Sequence, residues 1–204
     1  MYFAIEGVIG VGKTTFAQML AARINADLLN EEVFENPFLV DYYKNRTRYA
    51  LSCQLYFLIS RFQQQQQLMV RDLFAQRIVA DYLYAKDAIF ASVALSEREL
   101  ALYNKIAPAL SRDIPKPDLV IYLQAGTQTL LSRIKKRSFS FEKPIDFDYI
   151  EMLNKAYQAA RSARKVAVVE VLGQQAGWIA LQAGIAARAD AVLMPETPCR
   201  LRHL

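Results

Sequence analysis

Tyr2-Phe3-Ala4-Ile5-Glu6-Gly7-Val8-Ile9-Gly10-Val11-Gly12-Lys13-Thr14-Thr15 carries three local signals in one unbroken run. Tyr2 to Glu6 is an apolar stretch of strand length. Gly7 to Thr14 fits G-x-x-x-x-G-K-[ST] at every fixed position, and Phe16, Leu20 and Ile24 then share one helical stripe between Thr15 and Asn25. Strand, glycine loop and helix in that order form a cradle for phosphate. Gly7, Gly10 and Gly12 let backbone N–H groups curl around phosphate oxygens at the positive end of a helix. Lys13 can neutralise β/γ-phosphate charge, the Thr14 hydroxyl can ligate Mg²⁺, and Thr15 completes the loop's exit. The run predicts binding of a nucleoside triphosphate.

Outward from this stretch, apolar runs bounded by turn residues recur at Arg77 to Asp81, Asp118 to Leu123 and Val166 to Leu172, with a weaker one at Asp27 to Asn30. Each is expected to be a buried strand. Helical period fills the gaps: Leu51, Leu55, Leu58 and Phe62 line a helix expected over Leu51 to Phe74. Ser96-Glu97-Arg98-Glu99 predicts a capping box opening a helix that Pro108 limits, and Thr127 is expected to cap a helix through Arg137. Strands alternating with helices imply a parallel sheet covered on both faces. The glutamine run Gln63 to Gln67 is expected on a solvated or interface-lining helix face.

The 204 residues suit a single domain able to bury a full core, and 53% hydrophobic against 22% charged is a globular composition. The one histidine is His203, so an internal Ser-His-Asp triad or His-ligated zinc is excluded. Cys53 and Cys199 are far apart with no C-x-x-C spacing, which predicts buried thiols in a reducing cytoplasm. The first residues lack a basic region, and charges interrupt every long apolar run, so neither a signal peptide nor a membrane span is expected. Twenty-five basic residues against 20 acidic ones give +5, which favours an anionic small-molecule ligand as readily as nucleic acid.

Several further blocks resemble the bacterial deoxynucleoside kinase family from Met1 to about Ala160. They are Glu31-Glu32-Val33-Phe34-Glu35-Asn36-Pro37-Phe38-Leu39, Tyr43-Lys44, Gln54-Leu55-Tyr56-Phe57-Leu58-Ile59-Ser60-Arg61-Phe62, Pro117-Asp118-Leu119-Val120-Ile121-Tyr122-Leu123 and the basic Arg133 to Arg137. The resemblance implies a three-layer α/β fold of the P-loop kinase type, with a parallel sheet of about five strands. It also implies transfer of the ATP γ-phosphoryl, with Mg²⁺, to a deoxynucleoside 5'-hydroxyl. Glu31 then holds the place of the general base, with Glu32 as the neighbouring possibility. Tyr43 matches the residue that meets the sugar 3'-hydroxyl, Gln54 the one that reads the base edge, and Glu142 an acid that approaches the 3'-hydroxyl. Asp81 matches the acid near the metal, but Tyr82 and Leu83 stand where the family usually has Arg and Ser. Arg133 and Arg137, four apart on one helix face, match a basic lid over the phosphates. Phe139 stands where another arginine often follows. The expected partners are a deoxynucleoside and a second copy in a homodimer, with no nucleic acid and no membrane.

The tail reads differently. Val166-Ala167-Val168-Val169-Glu170-Val171-Leu172 and Gly177-Trp178-Ile179-Ala180-Leu181-Gln182-Ala183-Gly184, on to Pro195-Glu196, resemble an internal piece of 6-phosphofructokinase. Val166 to Leu172 can still supply the fifth strand, and Trp178 to Ala187 a covering helix, so the whole chain is expected to form one domain. Two alternatives stay open: a thymidylate-type monophosphate kinase, which shares loop and lid, and a nucleotide-binding protein with little turnover.

Overall fold

The computed structural model of the chain describes residues 1–71 and 77–162. In chain order the elements are β1 (Tyr2–Glu6), α1 (Lys13–Ile24), β2 (Asp27–Leu29), α2 (Leu39–Lys44), α3 (Arg46–Arg71), β3 (Ile78–Ala80), α4 (Lys86–Ala94), α5 (Glu97–Ser111), β4 (Leu119–Tyr122), α6 (Thr127–Arg137) and α7 (Phe147–Ser162). All described residues lie in the first of the two units into which the chain divides, Met1–Val168 and Val169–Leu204. The expected fifth strand at Val166 to Leu172, the helix from Trp178 and the Cys199 thiol lie outside the described residues.

The described strands form one parallel sheet in the order β2-β3-β1-β4, with Ala4 opposite both Ala80 and Val120. Alternation along β1 sends Phe3 and Ile5 into the main core with Ala17 and Ala21 of α1 and Leu58 of α3. Tyr2 and Ala4 point the other way and pack with Ile78, Ala80 and Leu68 of α3. A strand apolar on both sides is the pattern of a sheet covered on both faces, which is the layering expected. Because every strand runs the same way, their carboxyl ends emerge along one edge, the edge where open parallel sheets bind ligands.

Local expectations needed correction in several places. α3 begins five residues before Leu51, with Arg46 donating through Nη2 to the Pro144 carbonyl at 3.1 Å. The capping box forms, as Glu99 Oε2 accepts the Ser96 amide at 2.9 Å and its hydroxyl at 2.6 Å. Pro108, however, lies inside α5 rather than at its end, since a proline in the last turn deprives the helix of one hydrogen bond without stopping it. Thr127 is the first residue of α6 and does not cap it. Gly126 takes the N-cap position, and the Thr127 hydroxyl turns to Glu151 Oε2 at 2.5 Å. The glutamine run is not simply solvated. Gln64 and Gln65 are buried, Gln64 donating to the Asn30 carbonyl at 3.1 Å and Gln65 to the hydroxyls of Tyr2 and Tyr82 at 3.3 and 3.2 Å. α4, with Lys86 and Asp87 buried in its first turn, was not anticipated. No described helix is long and apolar enough to cross a membrane.

Candidate active site

The phosphate loop leaves β1 at Glu6 and passes tight against its neighbours. Gly7 has φ +150°, and a Cβ there would lie 2.3 Å from the Leu123 carbonyl oxygen at the exit of β4. Gly10, at φ +84°, faces Leu130 and Ile134 of α6, where a Cβ would lie 2.9 and 2.8 Å from the nearest atoms. Gly12 takes φ +107° as the N-cap of α1, in open space. These are backbone conformations that glycine adopts at little cost. Lys13 curls back over the loop, its Nζ donating to the carbonyls of Gly7 at 2.7 Å and Val8 at 3.3 Å. Burial, reinforced by repulsion from Lys86, lowers its ammonium to about 8. Thr15 is exposed on the first turn of α1.

Pairing of β1 with β3 brings Asp81, one residue past Ala80, beside the loop. Thr14 Oγ1 donates to Asp81 Oδ2 at 2.5 Å, and Asp81 Oδ1 accepts the Glu31 amide at 2.7 Å. One carboxylate therefore ties the loop's hydroxyl to the segment that follows β2. A hydroxyl and a carboxylate side by side are hard oxygen donors, the set on which Mg²⁺ settles when nucleotide phosphates supply further oxygens.

Glu31 stands behind Asp81 in a cage of cations. Its Oε1 accepts Arg61 Nε at 2.9 Å and Nη2 at 2.6 Å, and its Oε2 accepts Lys86 Nζ at 2.7 Å. Burial pushes the carboxyl up, but Lys86 and Arg61 outweigh it and hold Glu31 at about 2. Glu32, the alternative, faces elsewhere and accepts the Ser60 hydroxyl at 3.3 Å. Arg61 also donates through Nη1 to Asp87, whose other oxygen takes the Tyr103 hydroxyl at 2.6 Å. Burial raises the Asp87 carboxyl despite the guanidinium beside it.

The remaining candidates fall in two groups. Gln54, on α3, is 2% exposed, and its amide oxygen is a buried acceptor with no partner among the described residues. Tyr43 on α2 is buried and stacks on Phe141 with ring centroids 6.1 Å apart. Burial, then the Glu142 carboxylate, raises its hydroxyl well above the usual range. Glu142 is buried and accepts Arg137 through Nε at 3.0 Å and through Nη2. Arg137 thus faces an acid here, while Arg133 reaches the phosphate loop itself, donating to the Val11 carbonyl at 2.8 Å. Phe139 stacks on Phe141 at 5.6 Å, edge-on to Phe34, with the Arg137 guanidinium 5.0 Å from its ring.

Sequence reading passed over Lys86, Asp87 and Glu6. The Glu6 carboxylate is 3% exposed and accepts the Gly7 amide at 2.7 Å, the Leu83 amide at 2.8 Å and the Tyr157 hydroxyl at 3.0 Å. A charge directly before a glycine loop was its only local sign.

A phosphate loop at the carboxyl edge of a parallel sheet, a basic helix against it and a caged carboxylate behind Asp81 are the parts of a P-loop phosphotransferase. Residues 3–178 match the family model for deoxynucleoside kinase. Deoxyguanosine kinase of Bacillus subtilis is 40% identical over 160 residues, covering 78% of this chain and 77% of that protein. Deoxyadenosine kinase of Dictyostelium discoideum is 37% identical over 161 residues, covering 76% and 64% of the two chains. A solved structure of deoxyadenosine kinase from M. mycoides with bound dATP superposes with a TM-score of 0.75 at 29% identity, covering 83% of this chain and 90% of the other. The chain belongs to the deoxynucleoside kinase family, and it is an enzyme of ATP-dependent deoxynucleoside phosphorylation. The thymidylate-type alternative is set aside on this evidence. A partial likeness to ATP-dependent 6-phosphofructokinase of Spirochaeta thermophila, 39% identical over 67 residues, covers 33% of this chain and 18% of that enzyme. The deoxynucleoside kinase match runs past Val166, into the stretch that resembles it.

Proposed function

We propose that the chain transfers the γ-phosphoryl of ATP to the 5'-hydroxyl of a purine deoxynucleoside, with Glu31 as the base that takes the hydroxyl proton. The observation that carries this reading is the Thr14–Asp81–Glu31 connection, at 2.5 and 2.7 Å, which joins the phosphate loop through the Asp81 carboxylate to the backbone of Glu31, whose own carboxylate is held by Arg61 and Lys86. A carboxylate ionised through the neutral range can accept a proton as the bond to phosphorus forms. Lys13 and the loop amides hold the triphosphate, and Arg133 on the loop and Arg137 at its lid supply charge to the transferring group. Gln54 offers its amide to the base edge, where it can both accept and donate. Tyr43 and Glu142 take the sugar. Thr14 and Asp81 would hold Mg²⁺, which would supply positive charge to the phosphates.

The purine assignment draws support from relatives named for deoxyguanosine and deoxyadenosine. A free buried cysteine, Cys53, whose thiol is pushed up to about 12 by burial, suits a reducing cytoplasm. The working form is proposed to be a homodimer, which light scattering on the eluted protein would read. The test of the reaction is a panel of deoxynucleosides and monophosphates assayed for ADP release with ATP and Mg²⁺. Release that depends on a purine deoxynucleoside supports the reading. ATP binding with no acceptor-dependent release marks a binding protein and overturns it.

A further inference from the structure

We propose that Lys86 is a positioning residue for phosphoryl transfer, holding Glu31 so that its Oε2 faces the acceptor hydroxyl. The inference rests on the function proposed above. Arg61 directs two N–H groups at Glu31 Oε1, which uses both lone pairs of that oxygen. Lys86 alone meets Oε2, at 2.7 Å, so this oxygen keeps one lone pair for an incoming proton. The two cations differ in what stands behind them. Arg61 is braced by Asp87, which is braced in turn by Tyr103 from α5, so its place is fixed by the core. Lys86 is 4% exposed, and Glu31 is the acceptor its ammonium meets among the described residues.

A buried ammonium is costly, and apolar side chains generally fill a core position at least as well. Lys86 also lies close enough to Lys13 for the two charges to repel. Its ammonium is spent on the proposed base, Glu31. Tyr82, nearer to Asp81 in sequence, turns its hydroxyl to Gln65, so it does not serve Glu31. In the step itself the 5'-oxygen bonds to the γ-phosphorus, the bond from that phosphorus to the bridging oxygen breaks, and ADP leaves. The hydroxyl proton passes to Oε2, while Lys86 keeps that oxygen from rotating away.

The test compares Lys86→Met, Lys86→Arg, Lys86→Gln and Lys86→Ala with wild type at saturating ATP and Mg²⁺, using the deoxynucleoside turned over best. The Met variant is expected to lose about 100-fold in kcat, with KM for both substrates within about threefold, because proton transfer and not binding is disturbed. Lys86→Arg should recover to within about tenfold of wild type, and methylammonium should partly rescue Lys86→Ala where sodium chloride of equal ionic strength does not. A folded Met variant with kcat within about threefold of wild type overturns the proposal, as does an equal loss in Met and Arg. If Met prevents folding, Lys86→Ala, which also removes the donor, is judged by the same limits, and Lys86→Gln reads how much of the effect a neutral donor restores. Wild type without turnover on any deoxynucleoside overturns the proposed function and this role together, whereas active wild type with an indifferent Met variant overturns the Lys86 role alone.

Discussion

Glu6 Oε2 accepts the backbone amide of Leu83 at 2.8 Å, so the last residue of the strand that launches the phosphate loop also holds the chain just past Asp81. The same carboxylate takes the Gly7 amide and the Tyr157 hydroxyl. Three donors converge on one buried acid, and it registers the loop against the chain beside Asp81.

Glu6→Ala should therefore leave three donors unsatisfied in a site closed to water. Each orphaned group costs about 1 to 3 kcal/mol, and about 3 to 9 kcal/mol in all would lower Tm by roughly 6 °C or more in a domain of this size. Thermal unfolding followed by circular dichroism checks this. A shift under about 3 °C would show that water or a neighbour takes the vacated positions.

Glu31→Gln should lower kcat by about 100-fold or more while ATP affinity stays within about threefold, since general base catalysis is worth about 10² to 10⁴. Glu32→Gln should stay near wild type, because Glu32 meets the exposed Ser60 hydroxyl. A larger loss at Glu32 would move the base by one residue.

Stability should also depend on Glu31. Its folded value, about 2, lies below the ordinary 4.5, so its contribution is complete above about 4.5 and is lost as pH falls toward 2. Glu31→Gln should flatten the acid limb of a plot of unfolding free energy against pH. Superimposable acid limbs in variant and wild type would contradict the cation cage.

Lys13 gives the opposite signature in binding. With its ammonium at about 8 in the free protein, it loses its charge as pH rises through that value, and an uncharged amine attracts phosphate poorly. The Kd for ATP should rise between pH 7 and 9 with a break near 8, and Lys13→Ala should abolish the break. Titration calorimetry across that range reads both.

Gly10→Ala should be harsher than Gly12→Ala. Both positions hold positive φ, but a Cβ at Gly10 also strikes Ile134 and Leu130 of α6, whereas Gly12 faces open space. A larger Tm loss at Gly10 is expected, and equal losses would mean that backbone strain alone decides.

What sequence alone could show followed the range of each signal. The phosphate loop, the four described strands and the capping box are written in neighbouring residues, so period and spacing find them. Glu31, Tyr43, Gln54 and Asp81 were reachable through blocks shared with a known family. Lys86 and Asp87 were not, because a buried charged pair in a helix's first turn reads in one dimension like any solvated pair. Gln64 and Gln65 misled for the same reason: the acceptors that take their amide N–H groups, on Asn30, Tyr2 and Tyr82, come from other strands and loops. Pro108 and Thr127 show a smaller failure, where a valid stop or cap signal lost to a helix that packing had already fixed.

One helix, α3, carries Gln54, proposed to read the base, Arg61 on the proposed base Glu31, and Gln65 against the hydroxyls of Tyr2 and Tyr82. At about 1.5 Å per residue these side chains are spaced along roughly 16 Å of a single helix. On the proposed function, new substrate preference is therefore most easily reached by exchanging the side chain at Gln54. Sliding the helix to enlarge the pocket would drag Arg61 off Glu31 and lose turnover in the same move, so a library that varies residue 54 while sparing the rest of α3 has the better prospect of changing the nucleoside accepted without silencing the enzyme.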